Sequence, residues 1–154
     1  RHIDGEVSQS QVARVASVLE NAEAHQARMV VLHQPVHVTR PEDEENLLHG
    51  RVEAVRRWAE AGADMVMGGH IHLPYVAPLH AQAQFGALSR RIWSVQAGTA
   101  VSARIRRGAP NSINLVRTQD VGGLAPGCRV ERWDYSAANG AFACVSCHAL
   151  DLQR

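Results

Sequence analysis

Ala63-Asp64-Met65-Val66-Met67-Gly68-Gly69-His70-Ile71-His72 is the stretch from which the fold can be read. It opens as a short apolar run and closes on two glycines and two histidines. A run of this kind suits a strand buried on both faces, as in a parallel sheet. Gly68 and Gly69 permit a tight turn and let the backbone approach a bound group closely. His70 and His72 stand two apart, and in extended backbone that spacing sends both side chains to one side.

Upstream, Met29-Val30-Val31-Leu32 is a second apolar run, also read as a strand buried on both faces, and it ends at His33-Gln34-Pro35. Pro35 stops the strand and biases Gln34 toward extended geometry. Between the two runs lies the acidic stretch Glu42 to Glu45, read as a solvated loop or a helix N-terminus, where carboxylates are favoured. A helix follows to about Ala61, with Leu47, Leu48, Val52, Val55 and Trp58 near one face and Gly62 as its terminator. At the start of the chain, Ser8 and Gln11 form a capping-box signature. Val12, Val15, Ala16, Leu19 and Ala22 then recur at helical spacing and predict a helix from about Gln9 to Gln26. Helix, strand, helix, strand is the pattern of a parallel sheet with crossover helices.

The second half changes character. Ile92 to Gln96, Ser112 to Thr118, Cys128 to Tyr135 and Ala141 to Val145 read as strands separated by Gly, Pro and Asn turns. An antiparallel section is expected there, with Gln119 to Gly127 as a surface loop. The whole, residues 1–154, is expected to form one α/β domain.

Composition narrows the function. Of 154 residues, 45% are hydrophobic and 20% charged, which excludes a disordered chain. The 16 basic residues are all arginine, against 15 acidic ones, and a net charge of +1 leaves no nucleic-acid footprint. No apolar run approaches the roughly 20 residues of a membrane helix. No secretory leader is visible, so the expected location is the cytoplasm. The chain begins at Arg1 rather than Met, which fits a fragment.

Three cysteines, Cys128, Cys144 and Cys147, do not make a closed disulfide framework. Cys144-Val145-Ser146-Cys147-His148 matches the pattern for covalent haem attachment, but so short a match is weak, and such proteins need export. The plainer reading is a terminal strand, Ala141 to Leu150, that carries two cysteines. One Cys-Xaa-Xaa-Cys without a second pair is also too little for structural zinc.

Of nine histidines, His2, His25, His49 and His80 are expected on solvated surface. His33, His70 and His72 differ, because each falls where a strand ends. In α/β sheets ligands gather beyond the carboxyl ends of parallel strands. If the two strands are neighbours, three imidazoles converge there, and neutral imidazole is a ligand for Zn, Fe and Mn-type ions. Pro35 breaks any helical pairing of His33 with His37.

Val31-Leu32-His33-Gln34-Pro35 and Val66-Met67-Gly68-Gly69-His70-Ile71-His72 together resemble the last two sequence blocks of the calcineurin-like metallophosphoesterases. These are a hydrophobic strand ending His-Xaa-Pro and a strand ending Gly-His-Xaa-His. The resemblance covers roughly residues 8 to 100, and Gln96-Ala97-Gly98-Thr99 is similar to the strand and turn that follow in many members. It implies half of a four-layer α/β/β/α sandwich, with parallel strand-helix units followed by antiparallel strands. It also implies a centre of two divalent metal ions, Mn, Fe or Zn, that hydrolyses phosphate mono- or diesters. His33 and His70 would hold one metal and His72 the other.

The family's remaining ligands come from Asp-Xaa-His, Gly-Asp-Xaa-Xaa-Asp and Gly-Asn-His blocks, and none of these strings occurs here. Asp4, Asp43, Asp64, Asp120, Asp134 and Asp151 stand in other contexts. The chain therefore reads as the C-terminal part of such a domain, with an incomplete metal site and no competence alone. No catalytic residue is assigned beyond the metal ligands. The alternative is a non-catalytic remnant or interaction domain that keeps the fold. Arg104, Arg106 and Arg107 could face a phosphate-ester substrate, since guanidinium suits phosphate, or be plain surface charge. Strands such as Met29 to Leu32, uncovered, would favour a homo-oligomer through the exposed sheet.

Overall fold

A computed structural model describes residues 5–106, 108–121 and 124–153. The first helix, α1, spans Gln9–Glu20 and begins as expected, with Ser8 at the N-cap in a reciprocal capping box with Gln11. It stops six residues before Gln26. Asn21 caps its C-terminus and Asn21 Nδ2 donates to the Ser17 carbonyl at 2.7 Å, a local bond that competes with continued helix. The second helix, α2, spans Arg51–Glu60 and is followed by Gly62 at φ 98°.

Strands β1 (Met29–Val31), β2 (Met65–Gly68), β3 (Tyr75–Pro78) and β4 (Trp93–Gln96) form one sheet in the order β1-β2-β4-β3. β1, β2 and β4 are parallel, and β3 runs antiparallel to β4. The sequence expectation of an antiparallel second half thus fails for β4, and β3 is an additional strand. Its short segment, ending at Pro78, gave no strong local strand signal.

The second sheet, β5 (Ser112–Val121), β6 (Leu124–Ser136) and β7 (Ala141–Leu150), is antiparallel throughout. It replaces the loop expected over residues 119–127 at 119–121 and 124–127, residues 122 and 123 lying outside the described residues. Pairing continues through Gln119↔Gly127 to Val121↔Leu124, so the backbone ladder prevails over local turn propensity.

The two faces of β2 explain the layering. Val66 points into a cluster with Val12, Ala16, Leu19, Val55 and Trp58 of the helices, whereas Met65 packs with Val95 against Cys128, Val130 and Leu150 of the second sheet. Helices, first sheet and second sheet therefore lie in that sequence, a mixed α/β arrangement. Trp58, fully buried, ties α2 to α1 by donating its indole N–H to the Val12 carbonyl at 3.2 Å.

β1 departs from the expectation of burial on both faces. Only Val30 is buried, while Met29 is 45% and Val31 73% exposed. β1 is an edge strand, and no β1 residue joins the buried core shared with the second sheet.

The acidic stretch forms a 3₁₀ helix, Pro41–Asn46, and is not wholly solvated, since Asp43 is buried. Asp64, fully buried, accepts from the Arg28 backbone N–H at 2.8 Å and from Arg90 at 2.8 Å, fixing the entry to β2.

Candidate metal centre

β1 and β2 are register partners, so their carboxyl ends lie side by side. The backbone carries the pairing past both strands: Leu32 N–H donates to the Met67 carbonyl at 2.8 Å, and Gly69 N–H to that of His33 at 2.9 Å. The glycine loop is also fixed to the end of β4. Ala97 N–H donates to the Gly68 carbonyl at 2.8 Å, and the Gln96 side-chain amide donates to the Gly69 carbonyl. A Cβ at Gly68 would come 2.6 Å from Gln96 Oε1, so close packing favours glycine here, while the positive φ of the loop falls on His70 and His72.

The three sequence-predicted histidines line one open cleft of about 490 Å³ with Ile71, Arg104, Ile105 and Arg106. His33 and His70 are in contact. His33 Nε2 and His70 Nδ1 are 3.1 Å apart, and their rings meet edge to face with centroids 4.9 Å apart. Metal–nitrogen bonds of about 2.0–2.1 Å place two adjacent ligand nitrogens roughly 3 Å apart, so this spacing suits one shared ion.

The outer nitrogens add to this. His70 Nε2 lies 3.1 Å from Asn46 Oδ1, and His72 Nδ1 lies 3.1 Å from the Arg104 carbonyl oxygen. Both oxygens can only accept, so each of those ring nitrogens carries the proton. In the neutral rings, His70 Nδ1 and His72 Nε2 then keep lone pairs. A ring N–H held by a carbonyl-type oxygen is the usual outer arrangement of a metal-ligating histidine. The His70 pKa is lowered by partial burial and by the neighbouring His33 and His72, which favours the neutral ring.

His70 and His72 adopt positive φ, 66° and 55°, and are the only non-glycine residues among those described that do so. Such conformations cost about 1–3 kcal/mol each and collect at functional sites.

The donor set is partial. Among the described residues, no group of three or more His, Cys, Asp or Glu side chains is placed to hold a metal ion. His33 Nε2 and His70 Nδ1 thus face one another, and His72 faces the cleft separately.

Arg106 is not available to a substrate in the way its sequence position suggests. Its Nη1 donates to Asp43 Oδ1 at 2.6 Å and to the Ile71 carbonyl at 3.1 Å, and its Nη2 lies 3.6 Å from Glu42. Arg104 is exposed at the rim of the cleft with no ion-pair partner among the described residues. Arg107 lies outside the described residues, as do His2 and Asp4.

The other histidines sort differently. His25 and His49 are exposed, as expected. His80 is half-buried, bonded to the Ile92 backbone and set edge-on to Trp93. His37 lies in non-helical backbone and meets Gln84.

The Cys-Xaa-Xaa-Cys-His stretch lies on β7, as the terminal-strand reading expects. An irregularity opposite Arg132/Trp133 pairs Cys144 with Trp133 and Cys147 with Glu131, on one face, while His148 pairs with buried Val130 on the other. That opposes covalent haem attachment, which needs all three residues around one ring.

Sequence reasoning missed Asn46 and the Arg106–Asp43 pair. Both act across distant segments, and neither has a local pattern. No protein-family model matches this sequence, and no curated protein is significantly similar to it.

Proposed function

We propose that this chain supplies the histidine ligands of a two-metal phosphoesterase centre that hydrolyses phosphate mono- or diesters. In this reading it is the C-terminal part of a metallophosphoesterase sandwich, and the carboxylate-bearing blocks come from sequence outside these 154 residues. The observation that carries the reading is the 3.1 Å approach of His33 Nε2 to His70 Nδ1 at the carboxyl ends of two parallel strands. The oxygen-bound outer nitrogens of His70 and His72 support it.

His33 and His70 would hold one Mn, Fe or Zn ion and His72 a second. When bound, such a pair supplies Lewis acidity and lowers the pKa of bound water. The chain's own contribution is orientation. The bonds from Gly69 to His33 and from Ala97 to Gly68 fix the loop. Arg104 offers a guanidinium at the rim to orient a phosphate oxygen.

No helix among the described residues is long and apolar enough to cross a membrane. A cytoplasmic setting accords with three free thiols.

A second reading, a non-catalytic remnant or interaction domain, is favoured by the absence of a three-donor group among the described residues. Metal analysis and hydrolysis of bis-p-nitrophenyl phosphate with manganese separate the two, run on this chain and on the full reading frame that encodes it. The proposal expects turnover from the longer protein, lost in its His70→Ala variant, and none from this chain alone. A longer protein that is inactive and metal-free would leave only the remnant.

A further inference from the structure

His70 has its outer nitrogen on a side chain, Asn46, that no motif singles out. Asn46 ends the 3₁₀ helix Pro41–Asn46, three residues after Asp43. Residues three apart in a 3₁₀ helix eclipse one another, so Asp43 and Asn46 leave by the same side. Both reach the histidine loop. Asp43, 3% exposed, binds Arg106 at 2.6 Å, and the same Arg106 nitrogen donates to the carbonyl of Ile71, the residue between His70 and His72. Arg106 thus clips the 3₁₀ helix to the loop, with Asn46 Oδ1 3.1 Å from His70 Nε2.

From this geometry we infer that Asn46 is a positioning residue that holds the His70 proton on Nε2, so that Nδ1 is the accepting nitrogen, taking the His33 Nε2–H in the metal-free chain and turned to a metal when one is bound. The inference rests on the proposed metal centre for its purpose, but not for its geometry. The amide oxygen accepts and cannot donate, so it selects one imidazole tautomer. Loss of such an outer partner typically weakens metal affinity about 10–100-fold.

The test uses long-range ¹H–¹⁵N correlation spectra of the metal-free chain at pH 8, with zinc affinity measured by chelator competition. Wild-type His70 should show a single Nε2–H tautomer. Asn46→Leu should give a mixture that includes Nδ1–H and bind zinc about 10–100-fold more weakly. Asn46→Asp, which keeps an accepting oxygen, should restore the tautomer.

A wild-type His70 protonated on Nδ1 overturns the inference with no variant needed. An unchanged tautomer in Asn46→Leu also overturns it, as does an unchanged affinity where the wild type binds zinc. If the full reading frame that encodes this chain binds no zinc, yet the chain loses its tautomer preference in Asn46→Leu, the Asn46 assignment stands and the metal centre does not. The two failures are therefore distinguishable.

Discussion

His70 and His72 carry backbone angles that L-residues avoid, and this sets them apart from every other side chain in the cleft. Glycine tolerates positive φ, whereas alanine clashes much as histidine does. Both changes at His72 remove the same bond to the Arg104 carbonyl, so their difference isolates the backbone. His72→Gly should be more stable than His72→Ala by about 0.5–1 kcal/mol, after allowance for the looser unfolded chain of glycine. Urea midpoints of the two variants measure this, and equal midpoints would remove the strain argument. At this scale the sequence is partly legible. His33, His70 and His72 stand out because histidine after an apolar run is a local signal. Asn46 does not, because it closes an acidic run and meets His70 only through tertiary contact.

Elements read best where their signals are local. α1 begins at Ser8 because its capping box lies within four residues, but its end depends on an Asn21 contact that periodicity does not register. β1 shows the opposite limit. Its composition says buried, yet burial depends on what covers it, and the second sheet does not reach it. The consequence is an apolar edge, with Met29 45% and Val31 73% exposed and no strand paired on the outer side among the described residues. Such an edge invites pairing with another copy of the chain. Sedimentation should show self-association that grows with concentration, and Val31→Lys should reduce it, since a lysine on an edge strand opposes pairing. A wild-type chain that stays monomeric at high concentration would contradict this expectation.

The whole molecule divides where the sequence does, into a parallel first part and hairpins after it, although β4 belongs to the first part by direction. The second sheet carries its own electrostatic lock. Glu131, 8% exposed, accepts from Arg129 and Arg117 at 2.9 Å each and from the Trp133 indole at 3.2 Å. Its pKa falls from 4.5 to about 2, chiefly through the bond from Arg129 and then that from Arg117, while desolvation opposes the shift. A depressed carboxylate stabilises the fold fully above its unfolded value, and that stability fades as pH drops through the folded one. Between pH 4.5 and about 2 the wild type should lose urea resistance more steeply than Glu131→Gln, and parallel curves would exclude this role. Arg129 stands two residues from Glu131 on the same strand, a spacing legible in the sequence, whereas Arg117 becomes a neighbour only through hairpin register.

The open edge of β1 also bears on the cleft. Val31 and His33 are two residues apart, about 7 Å along extended backbone. A second molecule laid along Met29–Val31 would therefore stand at the rim of the histidine cleft and form part of its wall. Quaternary state and the exposure of the histidine cleft would then be a single variable, and Val31→Lys should perturb both or neither.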